Sequence, residues 1–536
     1  MASSEIEIVA DTQNNHNTNE TNGSAINVVE INDVFAASAY GDLEKLRKFV
    51  GKDGCSVSTP DGNGYYPLQW AALNNIPEVT QYIIQHGGDV NAVDNAQQTA
   101  LHWAAVRGAI AAADVLLQNG ARVEAADING YRAVHVAAQY GQTGFLNHIM
   151  AKYGADFDTP DNEGRSPLHW AAYKGFVDTI RLLLFRDAYQ GRQDKEGCTP
   201  LHWAALRGNV EACTILLHAG TKQELVVKDK AGLTPAQLAY DKVEGTEEWR
   251  QTLRRQIFLG EDRICRICPL VLIIITQAIL FLNSVLLGVW QKVTAVVGLW
   301  GWTAISFAVA ALLMLHRCGS KDPGYVKKSS GKSDPADTED PLLNIDLNSS
   351  SIWTGNWSQL CPTCKIIRPV RSKHCPTCKR CVEQFDHHCP WISNYVGKRN
   401  KWDFFMLVCM GTMTALISTV VTVQRIWTDV PASPTSGSWV HHVVATHPGA
   451  VGFLVMDSII LICVLTLTIS QSSQVARNIT TNELANRARY GYLRNPDGKF
   501  RNPYNHGCRK NCSDFFINGY TEDDEIAWPT LQQATN

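Results

Sequence analysis

No charge of one sign dominates this sequence. The formal net charge is −3 over 536 residues, so no global field draws the chain to nucleic acid, and no nucleic-acid partner is expected. The amino-terminal stretch MASSEIEIVADTQNNHNTNETNGS has neither a basic n-region nor an apolar h-region, which argues against a secretory leader. Residue 2 is Ala2, which excludes N-myristoylation. Residues 1–30 are rich in Asn, Thr and Ser, and a disordered tail is expected there. The even stapling of a secreted disulfide scaffold is also missing. Six of the 16 cysteines crowd into residues 361–389 with C-x-x-C spacing, a pattern that fits metal binding in a reducing compartment.

What is present divides sharply. The first 268 residues are polar and mixed, and four long apolar runs follow, two on each side of the cysteine cluster. One domain is therefore unlikely to hold the whole chain. In the first half, six segments align: YPLQWAA at 66–72, TALHWAA at 99–105, RAVHVAA at 132–138, SPLHWAA at 166–172, TPLHWAA at 199–205 and TPAQLAY at 234–240. Their starts are 33 to 35 residues apart, and this period with its T-P-L-H-x-A pattern resembles ankyrin repeats over residues 31–242. Each unit is expected to be two antiparallel helices and a loop. Thr or Ser followed by Pro suits a helix start, and Gly108, Gly141, Gly175 and Gly208 suit its left-handed stop. The segment VFAASAYGDLEKLRKFV at 34–50 reads as a degenerate capping unit. His102, His135, His169 and His202 recur at repeat spacing. They are expected to be structural rather than metal ligands, and the recurrent Trp70, Trp103, Trp170 and Trp203 to be packing residues. The array offers a surface for protein partners without naming them.

Residues 267–291, 293–315, 404–424 and 451–473 are each long and apolar enough to cross a bilayer. The Lys and Arg residues flanking them lie on one side: Arg263 and Arg266, Arg317 and Lys321, Lys398 and Lys401, Arg477 and Arg487. By the positive-inside rule, both termini, the repeats and the cysteine cluster face the cytosol. Asp457, inside the fourth run, is costly there and is expected to make a polar contact. His441, His442 and His447 are read as solvated residues of the outer loop. The expected organisation is a tail (1–30), repeats (31–242), a connector (243–266), a transmembrane hairpin (267–316) and a cytosolic linker (317–358). A cysteine-rich zinc domain (359–402), spans three and four (403–473) and a cytosolic C-terminal tail (474–536) complete it. The fold class is all-α, a repeat solenoid followed by a four-helix transmembrane domain with an inserted zinc domain.

The stretch CPTCKIIRPVRSKHCPTCKRCVEQFDHHCPW (361–391) holds six cysteines and three histidines. Cys361-x-x-Cys364 and Cys375-x-x-Cys378 have zinc-knuckle spacing, and Cys381, His374 and His388 are available to complete the sites. Metal would replace the core that so loop-rich a segment lacks. Asp386-His387-His388-Cys389 permits a second chemistry. A histidine beside a cysteine takes the thiol proton, and a carboxylate fixes the imidazole tautomer. Spacing alone leaves this open against simple metal ligation of Cys389.

Residues 361–405 resemble the Asp-His-His-Cys domain of protein S-acyltransferases (palmitoyltransferases). Asp322-Pro323-Gly324 after the second span, Thr480-Thr481-Asn482-Glu483 after the fourth and YNHGCRKN at 504–511 are similar to that family's satellite motifs. With its repeats, the chain looks like the ankyrin-containing branch. The resemblance implies Cys389 as acyl-accepting nucleophile, His387 as base and Asp386 as its orienting carboxylate. It implies one zinc on Cys361, Cys364, His374 and Cys381, and a second on Cys375, Cys378 and His388. It also implies palmitoyl-CoA as donor, cysteine thiols of membrane-associated proteins as acceptors, and Golgi, trans-Golgi or vesicle membranes as location. The repeats would recruit substrates. One position departs: Tyr395 stands where the family usually has the fourth ligand of the second zinc, and tyrosine is a poor zinc ligand at neutral pH. The competing interpretation is a non-enzymatic scaffold in which Cys389 itself completes that site.

Overall fold

The computed structural model describes residues 31–221, 223–242, 275–279, 281–282, 295–326, 357–376, 378–429, 436–494 and 497–520. Its first body is a stack of helix pairs: α1 (Val34–Tyr40), α2 (Leu43–Gly51), α3 (Pro67–Leu73), α4 (Pro77–Gln85), α5 (Ala100–Arg107), α6 (Ile110–Gln118) and α7 (Ala133–Gln139). The stack continues with α8 (Thr143–Tyr153), α9 (Pro167–Lys174), α10 (Val177–Phe185), α11 (Pro200–Leu206), α12 (Val210–Ala219) and α13 (Pro235–Lys242).

The repeat motif builds this stack by local capping. Thr99 N–H donates to His102 Nδ1 at 3.1 Å, and His102 Nε2 lies 2.9 Å from the Tyr131 carbonyl of the next repeat. Ser166 with His169 and Thr199 with His202 do the same, reaching Cys198 O at 3.2 Å and Leu233 O at 3.3 Å. Because Nδ1 accepts, the ring proton sits on Nε2 and the ring is neutral. Burial pushes the His102 pKa down, and those of His135 and His169 down to about 4. His102, His169 and His202 are spent on helix starts and repeat-to-repeat bonds, and His135 Nδ1 accepts from Arg132 N at the start of α7. The indoles of Trp103 and Trp203 donate to Asp94 Oδ2 (3.1 Å) and Asp194 Oδ2 (2.8 Å) of the turn loops. The Ala pairs 104–105, 137–138 and 171–172 are fully buried, so successive helices touch at their backbones. Gly108, Gly141 and Gly175 stop their helices at φ near 71° to 80°, a region that only glycine enters freely.

The far end of the stack is not free. Trp357 and Leu360, at the entrance to the cysteine-rich segment, are buried in the same core as the repeats. Lys365, one residue beyond the Cys361–Cys364 knuckle, donates to the Leu184 carbonyl and to Phe185 O (3.2 Å) at the end of α10, and pairs with Asp187 at 2.6 Å. An ammonium on the last carbonyls of a helix satisfies groups the helix leaves open and meets the negative end of its dipole. Asp187 is mostly exposed, so that pair adds little. Thr363 Oγ1 donates to His218 O at 3.2 Å, extending the contact to α12. Lys365→Met is expected to weaken this docking by about 1.5–3 kcal/mol, the range for charge-assisted hydrogen bonds. Hydrogen exchange should rise in residues 177–187 and stay unchanged in 66–140.

Three helices among the described residues are long and apolar enough to cross a membrane: Gly298–Ser320 within α14 (Ala295–Ser320), α15 (Lys401–Asp429) and, after a short α16 (Ser436–Thr446), α17 (Pro448–Arg477). They match the second, third and fourth expected spans. The expected first span lies outside the described residues except for a few helical positions, 275–279 among them. The expected tail 1–30 and connector 243–266 lie outside as well. Phe281, Ala304, Ile417, Val421 and Phe453 join the spans in one apolar cluster. Asp457 is buried and accepts from Ser418 and Thr419 of α15, both at 2.8 Å. The loop between the third and fourth expected spans, expected to be solvated, is not plain coil. It contains α16, and His447 Nε2 meets Asp429 Oδ2 at 2.8 Å, joining its two ends.

The all-α expectation omits three two-stranded hairpins: β1 (Leu360–Cys361) with β2 (Ile366–Ile367), β3 (Lys373–Cys375) with β4 (Arg380–Val382), and β5 (His387–Cys389) with β6 (Asn394–Val396). Each folds a short cysteine-bearing segment back on itself. The cause is local: Lys365, Arg371, Lys379, Gln384 and Ser393 take positive φ at tight turns, which two C-x-x-C loops and their neighbours require. Two short helices follow the last span, α18 (Thr481–Ala485) and α19 (Cys508–Asn518).

Candidate functional site

The hairpins sit on the ends of α14 and α15, and buried amides hold them there. Asn394 Nδ2 donates to the carbonyls of Cys318 (3.1 Å), Gly319 (3.1 Å) and Lys321 (2.9 Å), capping the end of α14. Asn400 Nδ2 donates to Tyr395 O at 2.6 Å, and its Oδ1 accepts from Gly397 N at 2.9 Å. Asp403, fully buried at the start of α15, meets Arg317 Nε at 2.8 Å and Lys321 Nζ at 2.6 Å. The Asp322-Pro323-Gly324 turn braces the same place. Asp322 Oδ1 accepts from Gly324 and Tyr325 N–H, and Pro323 O accepts from Arg399 N at 3.1 Å. Gly397 passes so close that a Cβ there would stand 2.5 Å from Val382 Cγ1 and 2.6 Å from Pro323 O. Gly397→Ala is accordingly expected to displace the turn, lowering the thermal midpoint of the folded chain.

Asp386, His387 and Cys389 come together. Asp386 is 1% exposed. Its Oδ2 lies 2.9 Å from His387 Nδ1 and accepts from Thr481 Oγ1 at 2.9 Å. Its Oδ1 accepts from Thr481 N at 2.6 Å and from Lys401 Nζ at 3.4 Å. Burial works against charge here, yet Lys401, the His387 hydrogen bond and the Thr481 amide outweigh it and hold the carboxyl well below the usual range. With Nδ1 committed to Asp386, Nε2 is the nitrogen left for Cys389, which lies two residues along the same strand and so on the same face as His387. Burial alone would lower the His387 pKa. The bonds to Asp386 and Cys389 and their charges reverse this and push it up to about 9. Cys389 is buried against Leu315, Ile392, Val396, Phe404 and Val408, an apolar wall shared with the spans, and the His387 ring stands edge-on to Phe404 at 5.2 Å.

The satellite motifs converge through a residue that spacing did not single out. Arg371, buried, forms a two-pronged bond to Glu483, Nε to Oε1 and the terminal nitrogen to Oε2, both 2.7 Å. It also donates to Asn478 Oδ1 at 3.0 Å and lies over the Tyr504 ring at 4.4 Å. Thr480 and Glu483 close a capping box on α18, which delivers Thr481 to Asp386. Asn511 is fully buried and donates to Ala476 O at 2.9 Å and Asn505 Oδ1 at 2.8 Å. Two basic residues thus belong to the site beyond the expected set, Arg371 and Lys401. The signal for Lys401 was present as one of the basic residues before the third apolar run. Arg371 had none, because its partner lies 112 residues away.

The metal expectations divide. Cys361, Cys364, His374 and Cys381 bring their donor atoms within 4.8 Å of one another. His374 Nδ1 lies 3.5, 3.2 and 3.8 Å from the sulfurs of Cys361, Cys364 and Cys381. A tetrahedral zinc with its usual bond lengths has sulfur–nitrogen edges of about 3.5 Å, so this set fits zinc. Among the described residues it is the one Cys/His group so closely gathered. Cys378 Sγ and His388 Nδ1 are 3.9 Å apart, but the fourth corner of the second set is Tyr395, fully buried between Cys375, Val382 and Phe385. Cys389 packs in the neighbouring apolar cluster with Leu315, Ile392 and Phe404, while Tyr395 packs with Cys375.

Family models and known proteins resemble this chain in the following ways. A family model described as DHHC palmitoyltransferase matches residues 355–488, and one for ankyrin repeats matches 34–127 and 134–229. The chain is 55% identical over 537 residues to a "Probable protein S-acyltransferase 23" of Arabidopsis thaliana, covering 98% of this chain and 99% of the relative. It is 30% identical over 241 residues to palmitoyltransferase ZDHHC17 of Rattus norvegicus, covering 40% of this chain and 36% of that one. Among solved structures, the ankyrin repeat domain of Bcl-3 covers 41% of this chain and 97% of its own length, at 25% identity and a TM-score of 0.35.

Proposed function

The chain belongs to the DHHC palmitoyltransferase family, and from that premise we propose how its own residues carry the acyl group. It is a protein S-acyltransferase. The reading rests on one observation: a cysteine buried in an apolar wall, on the same strand face as a histidine whose Nδ1 is held by a carboxylate. Cys389 is the nucleophile and His387 the acid and base. Asp386 is a positioning residue, fixing the imidazole and balancing its charge, and Thr481 and Lys401 fix Asp386.

In the first half-reaction His387 holds the proton of Cys389. The Cys389 sulfur attacks the thioester carbonyl of an acyl-CoA, the bond to the CoA sulfur breaks, and His387 returns the proton to the leaving thiolate. In the second, His387 takes the proton of an acceptor cysteine, whose sulfur attacks acyl-Cys389 and releases the enzyme thiol. One thioester is exchanged for another, so no further energy source is needed. The apolar wall shared with the spans suits the acyl chain, each buried methylene contributing about 0.8 kcal/mol. Zinc on Cys361, Cys364, His374 and Cys381 would supply structure, holding the knuckle that docks on the repeats. The second donor set lacks a fourth ligand, and no step passes through a metal there. The repeats recruit protein substrates to this face. Both termini are cytosolic and the first apolar run completes four spans, with Golgi, trans-Golgi or vesicle membranes as location.

The pH dependence of autoacylation tests the triad. The His387 pKa stands at about 9, above the ordinary value, so the imidazolium that supports Asp386 and Cys389 persists through neutral pH. Its contribution to stability is complete below about 6.5 and is lost as pH rises through about 9. Autoacylation by the purified chain, followed with a clickable palmitoyl-CoA analogue, should fall on a basic limb near pH 9. Asp386→Asn should move that limb to lower pH, because Asp386 is one of the groups that raise it. A limb that stays in place would remove Asp386 from the mechanism.

A further inference from the structure

Tyr395 faces His388 across the β5–β6 hairpin, flanked by the pairs His387 with Val396 and Cys389 with Asn394. Its side chain is wholly buried. The ring stands edge-on or tilted against His388 (5.1 Å), Phe385 (5.9 Å) and Tyr325 (6.3 Å), and packs with Cys375 and Val382. Arg380 lies over the Tyr325 ring at 4.9 Å and Lys373 over Phe385 at 5.8 Å, sealing the cluster from outside. This is a small aromatic core. It occupies the place where a lobe of this length otherwise depends on metal, because it has too little apolar surface to fold alone.

The donor chemistry points the same way. A cysteine at 395 would offer a short side chain ending in a soft sulfur. Tyrosine from the same backbone register is longer and rigid, so its ring fills the volume between Cys375, Cys378 and His388. Its hydroxyl is buried beside the Cys375 and Cys378 side chains, and an aromatic alcohol is not among the thiolate, imidazole and carboxylate donors that zinc sites draw on. The contrast with the first set is direct. There three sulfurs and one nitrogen converge within 4.8 Å, and no ring stands between them.

We propose that this chain holds one structural zinc, on Cys361, Cys364, His374 and Cys381, and that an aromatic plug centred on Tyr395 replaces the second. The hairpin carrying His387 and Cys389 is then supported by ring packing, while metal supports the knuckle that meets the repeats. The inference concerns metal content and stands apart from the acyl-transfer reading, so its test does not use turnover.

The test is zinc counted per chain by mass spectrometry of the purified full-length protein in detergent micelles. The wild-type chain should carry about one zinc. Tyr395→Cys should carry about two, since it restores a fourth thiol and removes the plug. Tyr395→Phe should stay at one, since the ring and not the oxygen holds the lobe. Two zincs in the wild type, or none, would overturn the proposal. So would loss of metal in Tyr395→Phe, which would make the phenol oxygen a ligand, or a folded Tyr395→Cys that remains at one. Should Tyr395→Cys not fold, the wild-type and Tyr395→Phe counts decide alone.

Discussion

Cys389→Ser is expected to reduce hydroxylamine-sensitive autoacylation to background, a loss of roughly 10⁴-fold or more, as when the nucleophile of a covalent mechanism is removed. Serine keeps the size, so the wall of Leu315, Phe404 and Val408 should survive. What changes is the nucleophile: an alcohol oxygen is a far weaker nucleophile towards a thioester than a thiol sulfur. Any acyl group that serine did accept would be an oxygen ester, which neutral hydroxylamine leaves intact. The same variant separates catalysis from scaffolding. If Cys389 were a metal ligand, its loss would lower the zinc count and loosen the hairpins. The structure puts its sulfur with His387 and the span residues, so the zinc content of Cys389→Ser should equal that of the wild type. Retained turnover in the variant would overturn the nucleophile assignment.

Arg371→Met should cost about 3–5 kcal/mol of stability, the range for removing one partner of a buried ion pair. Both side chains of the Arg371–Glu483 pair are almost completely buried, at 1% and 3%. Burial would raise the Glu483 pKa, but Arg371 foremost, with the Thr480 amide, holds it low. Without Arg371, Glu483 is left charged in a closed space, and the capping box that presents Thr481 to Asp386 loosens. Autoacylation should fall with stability even though Arg371 touches no reacting atom. The double variant Arg371→Met with Glu483→Met should be more stable than Arg371→Met alone, because it removes the stranded charge. Thermal unfolding followed by tryptophan fluorescence reads both. Equal midpoints for the single and double variants would show that the pair is not coupled.

Much of this was legible in the sequence for a simple reason: the signals are local. A 33-residue period writes itself along the chain, and the histidine that closes each helix start lies three positions from the residue it caps. Asp386, His387 and Cys389 sit within four residues, and the knuckle spacings are short. The membrane runs show through composition alone. What stayed hidden is long-range. Nothing near Arg371 announces Glu483, and nothing near Lys365 announces the end of α10. The short hairpins were missed because stretches of two or three residues have no periodicity to detect. Helix α16, between the third and fourth expected spans, was missed because its residues are few and weakly patterned. Tyr395 was visible as a departure from a ligand pattern, yet its ring packing emerges only when Tyr325, Val382 and Phe385 are folded around it.

The grip of Lys365 on the end of α10 carries a consequence for selectivity. If the repeats recruit cargo as proposed, a stack seated on the knuckle would hold it at a set distance and bearing from the reactive sulfur. Acceptor cysteines would then be chosen by how far along the cargo chain they lie from the captured segment, more than by the residues around them. Lengthening or shortening that interval in one cargo should change which of its cysteines is modified, and cutting the grip should blur the choice.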